Sequence, residues 1–224
     1  ASTKITILDQ TAGKPVALVN EFWRRAVADP AMDLTIMTGL TLSKPRGKSE
    51  LERRLVGPMA ARIFGDGPDP AWLEPLHASA LPANVHVHEF FLEPGAWLGS
   101  PLAQQSYASI NYTHVARTVA AAGANVVVQQ IALRSDADGG RASLGTNPDV
   151  TIDLLPLLDE RSRAGKPFAY IGQVNDHMPF MFGRAEVPVS RFDFIVDDPR
   201  DYHELFCPPN LPISTADHAI ALGA

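Results

Sequence analysis

Residues 125–131 read NVVVQQI, and this stretch decides the fold class. Val126, Val127 and Val128 are consecutive and β-branched, so they favour a strand. An amphipathic strand would alternate apolar and polar residues. Consecutive apolar residues instead place hydrophobic side chains on both faces, which suits a strand of a parallel sheet covered by helices above and below. Residues 125–131 are therefore expected to form a central strand.

The flanking segments fit that frame. Residues 114–122 read as a helix capped by Thr113 and ended by Gly123. Residues 136–140 read as a polar turn, and 154–163 as a helix closed by Gly165 and Pro167. Strands are expected at 168–174 and 191–196. A Pro-rich irregular stretch follows over 197–212, then a last helix beginning near Ser214, with Ser214 or Thr215 as its cap. Towards the amino terminus, Val16, Val19, Phe22, Trp23 and Val27 recur at helical spacing within 15–28, between Gly13-Pro15 and Asp29-Pro30. A strand is read over 34–42. A helix over 48–64 has Ser49 as N-cap and Gly65 as its stop. A short helix over 70–79 and a strand bearing Val85, Val87 and Phe90 come next, then a Pro-Gly turn at 94–95 and a helical stretch over 96–106. Strands alternating with helices predict βαβ units: an α/β fold with a mostly parallel sheet flanked by helices.

The chain has 224 residues, 46% of them hydrophobic and 20% charged, in the range of a folded globular domain. Its formal net charge of −6 argues against a nucleic-acid-binding surface, which would carry a basic stripe. No apolar window approaches the roughly 18 residues of a membrane span, and no signal peptide is visible. A cytoplasmic protein without membrane or nucleic-acid partners is expected. The single cysteine, Cys207, cannot form an internal disulfide, and nothing in the sequence brings His203 or Arg200 to it as an activating group.

Few motifs suggest chemistry by themselves. His86 and His88 share one face of a strand, but a zinc site needs a third ligand, and the solvated face of an edge strand is the simpler reading. Asp136 and Asp138 lack the remainder of a calcium loop. Gly65 with Gly67, and Gly139 with Gly140, lack the spacing of a phosphate cradle, and no Gly-x-Ser-x-Gly elbow occurs. Glu89 and Glu93 flank Phe90 and Phe91, Glu93 reading as a loop carboxylate; composition selects neither as a nucleophile.

Several stretches, taken in order, resemble the acetyl-CoA hydrolase/transferase (CoA-transferase) family's amino-terminal domain. They are EFFLEPGA at 89–96, INYTHV at 110–115 leading to the strand at 125–131, ASLGT at 142–146, VNDHMP at 174–179, VSRFDFIV at 189–196, and the helix over 213–222. Upstream, GKP at 13–15, TGLT at 38–41 and RIFG at 62–65 are similar to a longer bacterial branch. The turn RSDADGG at 134–140 departs from the family's usual Pro-Pro-Asp-x-x-Gly.

The resemblance implies a CoA-transferase-type α/β domain over residues 1–212. Residues 213–224 would begin a linker helix towards a carboxy-terminal catalytic domain. It implies a catalytic glutamate and a glycine-rich oxyanion segment beyond Ala224, so no catalytic residue is assigned within the chain. Coenzyme A would be a substrate, with no tightly bound cofactor and no metal. Partners would be an acyl-CoA, a small carboxylic acid, and the chain's own carboxy-terminal domain or a partner subunit, in a homo-oligomer serving acetate metabolism. Asn111, Tyr112, His114, Met178 and Pro179 are expected to bind substrate at strand ends, although Thr113 as a helix cap and Tyr112 as a core residue would explain the first group equally well. A non-catalytic α/β binding or assembly module and a sugar-phosphate isomerase are the alternative functions.

Overall fold

The computed structural model describes residues 3–9, 13–95, 97–135, 140–146, 148–206 and 212–223. Six strands form a parallel sheet: β1 (Thr3–Asp9), β2 (Met32–Thr38), β3 (Val85–Glu89), β4 (Val126–Arg134), β6 (Ala169–Val174) and β8 (Phe194–Val196). Their order across the sheet is β3-β2-β1-β4-β6-β8, every pairing being parallel. Two three-residue strands, β5 (Arg141–Ser143) and β7 (Glu186–Pro188), extend the far end of β4 as an antiparallel ribbon.

The pleat explains the valine run. Val126 and Val128 join Ile7, Leu34, Ile36, Val85 and Val87 in a core closed by α1 (Val16–Ala28) and α3 (Leu73–His77). Val127 and Ile131 point the other way, with Leu8 and Met37, into a core closed by α5 (Val115–Ala121) and α6 (Asp149–Arg163). Successive residues of β4 thus feed opposite cores, and its first seven residues are buried. Gln129 fits into this interior because Thr151 donates to its Oε1 (2.7 Å) and its Nε2 donates to the Leu144 carbonyl (3.1 Å). The expected α/β fold and the central position of residues 125–131 are both present.

The helix over 48–64 is α2 (Glu50–Phe64). Its start is a capping box: the Glu52 amide donates to Ser49 Oγ (3.2 Å), and the Ser49 amide donates to Glu52 Oε2 (3.0 Å). Gly65 ends it at φ 58°. None of its described side chains is buried, so little tertiary packing supports the helix. Ser49→Ala is expected to cost about 1 kcal/mol of local helix stability, measurable as faster amide exchange at residues 50–53 with the sheet unaffected.

Several boundaries differ from the sequence reading. The strand expected over 34–42 stops at Thr38. Gly39 lies so close to the Phe90 ring that a Cβ there would come within 2.4 Å of it, and Leu40 turns left-handed at φ 46°. The strand expected at 191–196 is only β8, because Val189–Arg191 forms a 3-10 turn. Thr113 caps nothing: Tyr112–His114 is a 3-10 turn running into α5, and the Thr113 hydroxyl lies 3.5 Å from Asn111 Oδ1. The helix expected from 154 begins at Asp149. The shorter helices are α3 and α4 (Pro101–Ser106), and α7 (Thr215–Gly223) is fully exposed, with Ser214 Oγ accepting from the Asp217 amide (3.2 Å). The turn over 136–140, except Gly140, lies outside the described residues, as do Cys207 and its neighbours to 211. Among the described residues no helix is long and apolar enough to cross a membrane.

Candidate functional site

Strand order reverses between β1 and β4. Their connections leave in opposite directions, and a crevice opens beyond the carboxyl ends of the strands, where open α/β sheets bind ligands. A cleft of about 390 Å³ occupies that end, within the usual range for a small-molecule site. Gly13 and Lys14 form its floor beside β1. Leu40, Thr41 and Leu42, after β2, form one wall. The end of α2 supplies Phe64, and residues 203–206 close the far side.

A buried ionic cluster sits under this cleft. Lys14 Nζ lies 3.4 Å from Asp9 Oδ2, donates to the Gly39 carbonyl (3.2 Å) and bonds the Thr38 hydroxyl. Thr38 in turn donates to Asp9 Oδ2 (3.3 Å). Asp9 is 2% exposed, and burial raises its pKa against the pull of Lys14 and Thr38. Glu89, at the end of β3, is also 2% exposed. Burial pushes its carboxyl up to about 7, opposed by Thr41 and by the charge of Lys14, and aided by the charge of Asp9. Among the described residues, neither Glu89 oxygen completes a hydrogen bond of good geometry, and Asp9 Oδ1 has no hydrogen-bond partner either. Two buried carboxylates thus share the field of one ammonium. Such groups cost stability, and carboxyls with perturbed pKa values cluster at functional sites.

A second buried constellation fixes the opposite wall. Asn175, fully buried after β6, grips the backbone of His203 on both sides: its Nδ2 donates to the His203 carbonyl (2.9 Å), and its Oδ1 accepts from the His203 amide (3.4 Å). His203 Nδ1 lies 2.9 Å from the Asp201 carbonyl, which can only accept, so Nδ1 carries the hydrogen. Nε2 then presents its lone pair towards the Gln130 amide, 3.5 Å away. The ring packs on Gly67, where a Cβ would stand 2.8 Å from His203 Cδ2. Phe206 meets Phe64 edge to face at 5.1 Å, and this contact ties α2 to the wall.

The residues expected to bind substrate divide into two groups. Asn111, Tyr112 and His114 are exposed at the turn into α5, just after the segment in which Tyr107 bridges to Glu89. Met178 is buried after β6, packed against Gly13 and Gly145, while Pro179 beside it is exposed. Of the two groups, only the second adjoins the cleft floor, through Met178. His86 is exposed on the edge strand β3, 3.7 Å from Asp33, and no group of three metal-ligating side chains occurs among the described residues. Glu93 accepts from the Ser43 amide (3.3 Å), as a loop carboxylate would. Sequence reasoning missed Asp9, Lys14, Glu89, Asn175 and His203 as site residues. The available signal was positional: each carboxylate is the last residue of its strand, and Lys14, Glu89 and Asn175 lie in the family-like stretches.

No family model matches the chain, and no curated protein matches it. Among solved structures it is similar to RipA from Yersinia pestis at 18% identity, over 96% of this chain and 42% of that one, with a TM-score of 0.53. A RipA variant gives the same TM-score at 19% identity, over 99% of this chain and 44% of that one. A 4-hydroxybutyrate CoA-transferase from Porphyromonas gingivalis aligns at 19% identity, over 88% of this chain and 36% of that one, with a TM-score of 0.45. The chain spans less than half the length of these solved chains. At such identities the likeness to RipA is one of fold.

Proposed function

We propose that this domain is the amino-terminal half of an acyl-CoA hydrolase/CoA-transferase, moving CoA between an acyl-CoA and a carboxylic acid or water. The observation that carries the reading is convergence in space. The family-like stretches are far apart in sequence, yet Gly13 and Lys14, Leu40 and Thr41, Phe64, and Thr146 all line one cleft, and Met178 packs beneath it. They meet at the end of the sheet where open α/β folds bind ligands.

In the proposed chemistry a glutamate of the other half attacks the thioester carbon and expels CoA as thiolate, leaving a mixed anhydride. The thiolate attacks that anhydride to release the acid and form a glutamyl-CoA thioester. A second carboxylate then collects the CoA, or water gives net hydrolysis. This chain contributes a wall. Leu40, Leu42, Phe64 and Phe206 offer apolar cover to an acyl group and keep water from it.

The chain alone is expected to show no turnover of acetyl-CoA, with or without a carboxylate acceptor, and no acyl-enzyme trapped by hydroxylamine. Acetyl-CoA at millimolar concentration should shift the amide resonances of residues 40–42, and Leu42→Asp should abolish the shifts. Turnover lost in Glu89→Gln would place the nucleophile in this half. The absence of any cleft perturbation would sink the acyl-wall reading in favour of a non-catalytic module.

A further inference from the structure

Asp9 and Glu89, both buried, end the strands on either side of β2: Thr38 pairs in register with Glu89, and its hydroxyl meets both Asp9 and the Lys14 ammonium. Lys14 also holds the Gly39 carbonyl, so it is tied to the start of the cleft wall. That wall is under strain: Leu40 has a left-handed backbone that a branched side chain rarely adopts, held by its amide bonding the Phe91 carbonyl (2.6 Å). Thr41, the next residue, faces Glu89 and lines the cleft, and its buried hydroxyl has no completed hydrogen bond. A void of about 10 Å³ beside Glu89, Trp97 and Ser106 is close to the size that admits one water.

We propose that Glu89 is a proton-operated switch of the cleft wall: its ionisation competes with Asp9 for Lys14 and re-sets residues 39–41. With the proton on, Glu89 is neutral and can donate to Thr41, while Lys14 stays with Asp9, Thr38 and the Gly39 carbonyl. With the proton released to solvent, a second buried carboxylate draws on Lys14 and accepts from the Thr41 hydroxyl and amide. The contact that holds Gly39 weakens, and the strained segment shifts. The switch regulates the cleft to which the proposed function assigns the acyl group, so its purpose rests on that reading; its existence does not.

Among the described residues, the other ionisable groups around Glu89 are Asp9 on β1, Lys14 before α1, Glu93 bonded to Ser43, His77 edge to face with Trp97 at 4.3 Å, His88 preceding it in the chain, and Tyr107 bridged to it. Of these, the two histidines are separated from Glu89 by substitution.

The test is a pH titration of the free chain by carbon-detected NMR of glutamate carboxyls and the Lys14 ε-methylene, with the Leu40 and Thr41 amides followed in parallel. One carboxyl, absent in Glu89→Gln, is expected to titrate near 7, with the Lys14, Leu40 and Thr41 signals moving at the same midpoint. Those movements should vanish in Glu89→Gln and persist in His77→Gln and in His88→Gln. In Lys14→Met the Glu89 midpoint should rise, because a cation that lowers it is gone. The proposal is overturned if the wall signals still move in Glu89→Gln, if Glu89 titrates without them, or if Lys14→Met leaves its midpoint unchanged. No ligand is present in any arm, so failure here is distinct from failure of the acyl-wall reading.

Discussion

Glu89→Gln is expected to stabilise the protein by up to about 3 kcal/mol at pH 8 and by almost nothing at pH 4.5. The folded state raises the Glu89 carboxyl from 4.5 to about 7, burial being the main cause. Between those two values the folded chain keeps a proton that the unfolded chain gives up. Stability therefore falls as pH rises from 4.5 towards 7 and stays lowered above it. Glutamine resembles the protonated acid in shape and never ionises, so the variant escapes that loss. Asp9 has a raised pKa as well and contributes in the same direction, but it is present in both proteins and largely cancels in the comparison. Urea unfolding of both proteins at pH 5 and pH 8 gives the answer. A stability difference independent of pH would mean that Glu89 is ionised in the folded state throughout.

Gly145→Ala is expected to cost about 3 kcal/mol, combining a left-handed backbone with an overpacked contact. Gly145 has φ 66°, and a Cβ there would stand 2.2 Å from Met178 Sδ and 2.7 Å from its Cγ. The glycine of the 142–146 stretch is thus required twice, by its own backbone and by the methionine of the 174–179 stretch. Met178→Ala should relieve the packing part and leave the backbone part, so the double variant should be more stable than the sum of the single losses implies. Additive losses in a double-mutant cycle measured by denaturant unfolding would show that the two residues do not meet. The same pairing holds Met178 beneath Gly13, under the cleft floor.

The sequence by itself determined what depends on neighbours along the chain. The valines of β4 announce a strand covered on both faces because side chains alternate from one residue to the next. Ser49 and Gly65 mark the ends of α2 because caps are made within a turn of helix. The apolar period of α1 is legible for the same reason. Other local features were too small to read: β5 and β7 have three residues each, and their pairing with β4 defines them as strands. β1 went unread although Ile5, Ile7 and Leu8 are apolar; its place between β2 and β4 gives it meaning. The end of β2 and the turn at Leu40 were decided by the approach of Phe90 and Phe91, some fifty residues away in the chain. The site belongs wholly to this second kind. Asp9, Lys14 and Glu89 are ordinary ionisable residues in sequence, and His203 lies in a Pro-rich stretch that looks featureless. Only the tertiary structure brings two carboxylates under one ammonium, removes water from them and lets Asn175 clamp His203 across the cleft. A pKa near neutrality is a property of that desolvated environment, and desolvation follows from packing between distant segments, which no local pattern encodes.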